Sequence, residues 1–366
     1  MPESRVSRRS ILAAGAAAPA AASVLQPVVA AAPQAALAAG GPSLKIVTMY
    51  KFEPHEVERI QRAAADHSKV EIIICDTKDE FRTKLREADA VYGGLTGADL
   101  DYAPKVKWVQ SGGAGVEGMD EKFKASPIVL TNYATTFAPG ISETAMGLLL
   151  ALSRGLVKYY LPQFYLKKTN NPVGTAKSDH HVELVGRTMG IVGMGGIGQA
   201  IARRAHYGFD MRIIATDAKP MPKPHFVAEL HDPSYFTKMV PQVDVLVGAA
   251  PHTPKTEKMF NEQVFRSMKK TAYFLAMSRG KLFDDMALTK ALKEGWIAGA
   301  GIDAFPTEPV PPGHPIFDCD NVILSAHTSG WSPDRQVRLI DVFAENVRRY
   351  AAGIPLVNVV DKEKGY

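Results

Sequence analysis

Three residues late in the chain carry groups suited to proton transfer and carboxylate binding. Arg279 stands in Ser278-Arg279-Gly280, Glu308 in Asp303-Ala304-Phe305-Pro306-Thr307-Glu308-Pro309, and His327 in Ala326-His327-Thr328-Ser329-Gly330-Trp331. Each stretch follows a short apolar run, at 272–277, 297–302 and 322–325. If those runs are parallel strands, ligands bind beyond their carboxyl ends and all three groups share one edge. A guanidinium can hold a planar carboxylate through two parallel hydrogen bonds. An imidazole can give a proton to a carbonyl oxygen whose carbon receives a hydride, and can take it back in the reverse direction. A carboxylate beside the ring orients it and stabilises its protonated form. Taken singly, these residues read as a surface arginine, a core histidine and a loop glutamate. Their shared address favours a common site.

A site of this kind needs a hydride carrier, and the middle of the chain offers one. The apolar run at 189–193 leads into Gly193-Met194-Gly195-Gly196-Ile197-Gly198, then into the helical pattern Gln199-Ala200-Ile201-Ala202-Arg203-Arg204. A second run, 211–216, stops at Asp217. Strand, G-x-G-x-x-G, helix, strand and acid in this order form a dinucleotide fingerprint. Gly193 permits the turn, Gly195 lets backbone approach a pyrophosphate, and Gly198 lets helix and strand pack closely. The helix N-terminus directs unpaired N–H groups at the phosphates. Asp217 can accept from two ribose hydroxyls and would repel a 2′-phosphate, which favours NAD over NADP, although Lys219 lies close by. Further cofactor contacts are expected from the other strand ends: Ala250, His252 and Thr256 after the run at 243–249, then Met277, Asp303 and Gly330. Asp303 reads as holding the nicotinamide side rather than moving protons.

The positioning elements follow from strand and helix alternation, the pattern of an α/β protein. A first block shows strand candidates at 44–49, 70–75, 90–93, 107–111 and 128–131, with helical patterns at 53–66 and 77–87 between them. An apolar helix over 141–156 connects to a second block with six candidates, at 189–193, 211–216, 243–249, 272–277, 297–302 and 322–325. An amphipathic helix over 332–352 and an extended segment over 355–360 end the chain, and they are expected to cross back and complete the first block.

These motifs resemble the D-isomer-specific 2-hydroxyacid dehydrogenases. The resemblance is carried by Leu184-Val185-Gly186-Arg187-Thr188-Met189-Gly190-Ile191, the glycine loop, Ser278-Arg279-Gly280, Gly301-Ile302-Asp303-Ala304-Phe305 leading to Glu308-Pro309, and His327. It implies two Rossmann-like domains, which follow the export signal read below at 1–40. One is a flavodoxin-like substrate domain over 41–147, completed by 333–366; the other is a doubly wound parallel-sheet NAD-binding domain over 148–332. It implies that Arg279, Glu308 and His327 are catalytic in hydride transfer between nicotinamide C4 and C2 of a small D-2-hydroxy or 2-oxo acid. Substrate contacts then fall on Gly94 and Leu95, on Gly113 and Ala114 in Gly112-Gly113-Ala114-Gly115-Val116, and on Arg279 and His327. Tyr92, Leu95, Trp108 and Trp331 are candidates for lining the cleft. The resemblance also implies a homodimer built through the cofactor domains.

The N-terminus reads as an export signal. Ser7-Arg8-Arg9-Ser10-Ile11-Leu12 is a twin-arginine pattern, followed by an alanine-rich stretch interrupted by Pro19, Pro27 and Pro33. A stable membrane anchor is not expected from so interrupted a stretch, and the export machinery is the expected partner. The formal charge is +5, part of it in that segment, and the rest of the chain has no basic run with interleaved aromatics, which argues against nucleic acid. Cys75 and Cys319, the only cysteines, lack zinc spacing and read as free thiols; no metal site is expected. Two alternatives stay open. The fold could act on another small acid such as formate or phosphite, or it could be a non-catalytic NAD(H)-binding sensor.

Overall fold

The structure, a computed structural model, describes residues 43–165 and 181–366. The export signal read at 1–40 lies outside the described residues. The first sheet is built from β1 (Ser43–Thr48), β2 (Lys69–Ile74), β3 (Ala90–Gly93), β4 (Trp108–Ser111) and β5 (Val129–Thr131), all parallel, in the order β2-β1-β3-β4-β5. That is the flavodoxin-like order. The second contains β6 (Thr188–Val192), β7 (Arg212–Thr216), β8 (Glu229–His231), β9 (Val245–Gly248), β10 (Tyr273–Ala276), β11 (Gly299–Ile302) and β12 (Val322–Leu324), in the order β12-β11-β10-β9-β6-β7-β8 and again all parallel. The strand order reverses direction between β6 and β9, the point at which a doubly wound sheet opens a crevice.

The sequence pattern explains the layering. The central strands β9, β10 and β11 are buried throughout, as parallel strands covered on both faces must be. Alternate residues feed two cores: Leu246, Phe274 and Ile302 on one face, and Val245, Val247, Leu275 and Ile191 on the other. The helix Ala138–Ser153 covers the second face with Ala145, Leu148, Leu149 and Leu152. It lies close because β11 offers glycine: a methyl on Gly301 would fall 2.9 Å from Leu148 Cβ.

The amphipathic helix near the end spans Pro333–Ala351 and packs on the five-stranded sheet. Leu339, Ile340, Phe343, Val347 and Tyr350 share a core with Leu44, Ile46, Tyr92 and Trp108. Beyond it the chain pairs with the β5 edge, through a Thr131–Val359 bridge and Val360 N–H donating to Leu130 O at 2.8 Å. Buried Asn346 fastens the return, donating to Gln110 Oε1 and accepting from Val357 N. Cys75 and Cys319 are both free thiols. One strand, β8, has no counterpart in the sequence reading: Glu229-Leu230-His231 is too short and too polar to show a pattern.

A buried charge cluster stiffens the loop after β3. Asp99 has a fully buried side chain and accepts from Lys78 Nζ at 2.8 Å, Arg82 Nε at 3.1 Å, Thr96 Oγ1 at 2.6 Å and Thr96 N at 3.1 Å. Burial pushes its carboxyl up, but the bonds from Lys78, Thr96 and Arg82 outweigh this and hold it well below the usual carboxylate range. A depressed pKa contributes stability that is complete above the unfolded value, about 3.9, and is lost as pH falls toward the folded value. Asp99→Asn should therefore lower the urea unfolding free energy by about 1.5–3 kcal/mol at pH 7. The gap from wild type should stay constant down to about pH 5 and narrow below about pH 4. A gap that widens in acid would contradict this assignment.

Candidate active site

The loops after the parallel strands of the second sheet all emerge on one edge. At its centre the turn after β6 is set by Gly193, with φ +96°, whose missing side chain leaves room for Ala250 backbone 2.7 Å from where a Cβ would stand. Gly195 caps the helix Gly196–Phe209 and faces open space, with nothing within 4 Å of an added Cβ. Gly198 has no such room: a Cβ there would lie 1.9 Å from Gly193 O. Ile197 sits half-buried in that first turn. The strand is thus bent sharply into a helix whose first N–H groups have no partner inside the helix. Asp217, at the end of β7, accepts from Met194 N at 2.6 Å and Lys219 N at 2.7 Å. Two of a carboxylate's roughly four lone-pair positions are thereby used. This is the geometry of a dinucleotide cradle, and the residues fit one.

The flanking loop is self-supporting. Thr256 Oγ1 donates to Pro251 O at 2.8 Å and accepts from Thr253 N at 2.8 Å, which places Thr256 in the loop's own turn. His252 Nε2 is buried without a hydrogen-bond partner, the kind of orphaned atom that a ligand can satisfy. Met277 is buried at the end of β10 and donates its N–H to Gly248 O.

The histidine loop is built around Asp303, only 4% exposed. Its Oδ1 accepts from Ser325 Oγ at 2.8 Å and Ser329 N at 3.1 Å, its Oδ2 accepts from Ser329 Oγ, and its carbonyl accepts from His327 N at 3.0 Å. The carboxylate thus holds the histidine loop in place, with three of its roughly four lone-pair positions used. His327 takes φ +53°, a left-handed conformation uncommon for a side-chain-bearing residue. Gly330 packs beside Phe137, and Ser329 O lies over Gly140, so the loop rests on the start of the helix Ala138–Ser153.

His327 Nδ1 and Glu308 Oε2 are 2.8 Å apart, while Glu308 Oε1 accepts from Phe305 N at 2.7 Å. With Nδ1 turned to the carboxylate, Nε2 is left on the opposite side of a ring that is 44% exposed. Arg279 follows β10. Its turn packs tightly, since a Cβ on Gly280 would lie 2.0 Å from Phe305 C. Arg279 Nη1 donates to Ser278 O at 2.9 Å, and its Nε meets Glu117 Oε1 at 2.7 Å. Glu117 belongs to the opposite half of the molecule, directly after the Gly112–Val116 loop, and the sequence reading did not single it out.

Across the cleft, Gly94 is exposed, whereas the side chains of Leu95, Tyr92 and Trp108 lie in the core. As lining residues these three are corrected. Leu95 packs with Val91 and Val109, and Trp108 stacks on Tyr350 with its indole N–H donating to Thr131. Trp331 is exposed and carries Arg335 on its face. Gly113 and Ala114 form the rim, with their carbonyls held by Tyr133 N and Asn132 Nδ2. Gly196 meets Ala134 O and Thr135, so the two halves touch beside the glycine loop.

Residues 146–329 match the family model described as D-isomer specific 2-hydroxyacid dehydrogenase, NAD binding domain. A glyoxylate reductase of Korarchaeum cryptofilum is 35% identical over 288 residues, which span 76% of this chain and 85% of that protein. The chain belongs to this family. Among solved structures, an NADPH-dependent glyoxylate/hydroxypyruvate reductase from Sinorhizobium meliloti, in complex with NADP and sulfate, matches with a TM-score of 0.71 at 25% identity, over 88% of this chain and 100% of that one. A D-isomer specific 2-hydroxyacid dehydrogenase from Xanthobacter autotrophicus, in complex with NADPH and MES, shares the fold with a TM-score of 0.73 at 21% identity, over 89% and 100%. As a member of the family the protein is an enzyme with a nucleotide-binding domain.

Gly195 and Gly198 separate binding from folding. Gly198→Ala forces a methyl into a carbonyl and should cost more than about 3 kcal/mol of stability. Gly195→Ala meets no atom, so its melting temperature should stay within about 2 °C of wild type while affinity for a dinucleotide drops at least about tenfold. Unchanged nucleotide affinity in Gly195→Ala would remove that loop from the binding site.

Proposed function

We propose that the protein is a NAD(H)-dependent reductase of small 2-oxo acids, forming the D-2-hydroxy acid, with glyoxylate as the first substrate to try. The observation that carries this reading is the His327–Glu308 pair at 2.8 Å, held on the same strand edge as the glycine loop and Arg279. In this proposal residues 41–147 and 333–366 form the substrate domain, and 148–332 form the NAD-binding domain.

The chain's own groups divide the work. Arg279 holds the substrate carboxylate, with the backbone of Gly113 and Ala114 at its other side, where the Gly113 N–H now donates to Ser111 Oγ at 3.3 Å and would exchange that acceptor for the substrate. When bound in the cradle, the nicotinamide supplies the hydride to C2. His327 Nε2 gives its proton to the carbonyl oxygen as negative charge develops there, and takes a proton in the reverse direction. Glu308 keeps the ring in place through Nδ1 and balances its charge. Formate and phosphite could also sit on Arg279, but neither carries a carbonyl oxygen beside the bound anion for His327 to protonate, so the two residues together fit a 2-oxo acid better. Asp217 underlies the choice of NAD, because its carboxylate would stand against a 2′-phosphate. The proposal extends to export of the folded protein, on the twin-arginine pattern within 1–40, and to a homodimer, on the family resemblance.

Two measurements test this reading. NADH oxidation with glyoxylate, pyruvate and hydroxypyruvate should show turnover, and His327→Gln should lower kcat by about 10²–10⁴-fold while NADH still binds. Near-normal turnover in that variant would exclude His327 as the proton donor. Separately, Asp217→Ala should raise the apparent KM for NADH at least about tenfold and leave that for NADPH little changed or lower. Equal changes for both nucleotides would contradict the assignment of NAD.

A further inference from the structure

The guanidinium of Arg279 already carries a carboxylate. Glu117 reaches it from the opposite half, 162 positions away in sequence, with Oε1 2.7 Å from Nε and Oε2 3.5 Å from Nη2. It lies along the side-on edge of the arginine, an edge shaped for two carboxylate oxygens. Gly115 makes the approach possible. A Cβ there would stand 2.0 Å from Arg279 Nη2 and 2.3 Å from Glu117 Oε2, so the tip of the arginine lies against bare backbone. The two side chains are 30% and 34% exposed, open to water and to a small solute.

We propose that Glu117 is a resident competitor for the anion seat on Arg279, and so a determinant of how tightly the site holds any carboxylate. This rests on the reading of Arg279 as the substrate anchor. Nη1 is committed to Ser278 O, and the Nε–Nη2 edge to Glu117. An incoming carboxylate either displaces Glu117 or takes the remaining N–H groups beside it, and in both cases it meets a like charge at close range. An ion pair a third exposed to water contributes little free energy, so exchange is easy. The same device acts in both directions, because the hydroxy acid product is also a carboxylate and is displaced when Glu117 returns. The bridge joins the two halves across the cleft, so anion exchange at Arg279 is coupled to the contact between them.

Glu117→Gln tests the proposal, because it keeps an acceptor for the Nε–H group and removes only the charge. The probe is oxamate, a 2-oxo acid isostere that cannot be reduced, titrated calorimetrically into the NADH-saturated protein. Its Kd should fall about 3–30-fold in Glu117→Gln, and KM for glyoxylate should fall in parallel. Arg279→Gln should lose oxamate binding. If Glu117→Gln binds oxamate no more tightly than wild type while Arg279→Gln loses it, the competitor role is overturned and the anchor stands. If Arg279→Gln binds like wild type, or the wild-type protein itself does not bind oxamate, the anchor fails and the proposal falls with it. Glyoxylate turnover by the wild-type protein judges the reaction separately: tighter oxamate binding without turnover keeps the competitor and rejects the reductase.

Discussion

Asp303 is buried at the end of β11, and both of its carboxylate oxygens are spent on the loop that carries His327. Hydrogen bonds to a charged group contribute about 1.5–3 kcal/mol each. A left-handed conformation at a non-glycine residue costs on the order of 1–3 kcal/mol. The clamp is therefore strong enough to hold His327 in a backbone shape it would otherwise avoid. From that shape the imidazole turns Nδ1 to Glu308, and Glu308 is itself anchored by the Phe305 amide two residues beyond Asp303. The buried acid thus fixes the histidine, the Phe305 amide fixes its carboxylate partner, and the Arg279 turn packs on the same Phe305 backbone through Gly280.

Parallel topology makes this economy possible. Every strand of the second sheet runs the same way, so the turns after β6, β9, β10, β11 and β12 emerge together. The reversal of order between β6 and β9 opens the crevice in which the glycine loop sits. The five-stranded half meets that edge at Ala134–Thr135 against Gly196, at Phe137 and Gly140 against the Ser329–Gly330 turn, and at Glu117 against Arg279. Nucleotide cradle, proton donor and anion seat are consequently neighbours although they are spread along much of the chain.

The parts legible in the sequence were those governed by short-range rules. Apolar runs marked the strands because parallel strands are buried on both faces, and the glycine loop declared itself because each glycine answers a local steric demand. Arg279, Glu308 and His327 came to light as polar residues just past three strand ends. Long-range contacts stayed hidden. Glu117 is one carboxylate after a glycine-rich loop, and nothing nearby in sequence foretells a guanidinium 162 positions on. Asp303 came to light by its place past a strand end, but its bonds from Ser325 and Ser329, which make it the clamp of the histidine loop, had no signal in the sequence. Trp108 and Tyr92 were drawn to the cleft by their size, yet the returning helix Pro333–Ala351 covers them. Strand β8 lacked any periodic signal.

The central claim is that this edge delivers a hydride to C2 of a carboxylate-anchored carbonyl. The most direct measurement incubates the purified protein with NADH carrying two deuterium atoms at C4 and with glyoxylate, then examines the glycolate formed by mass spectrometry. The account predicts glycolate with a single deuterium at C2. Glycolate without deuterium, or no glycolate under conditions where NADH binds, would contradict it.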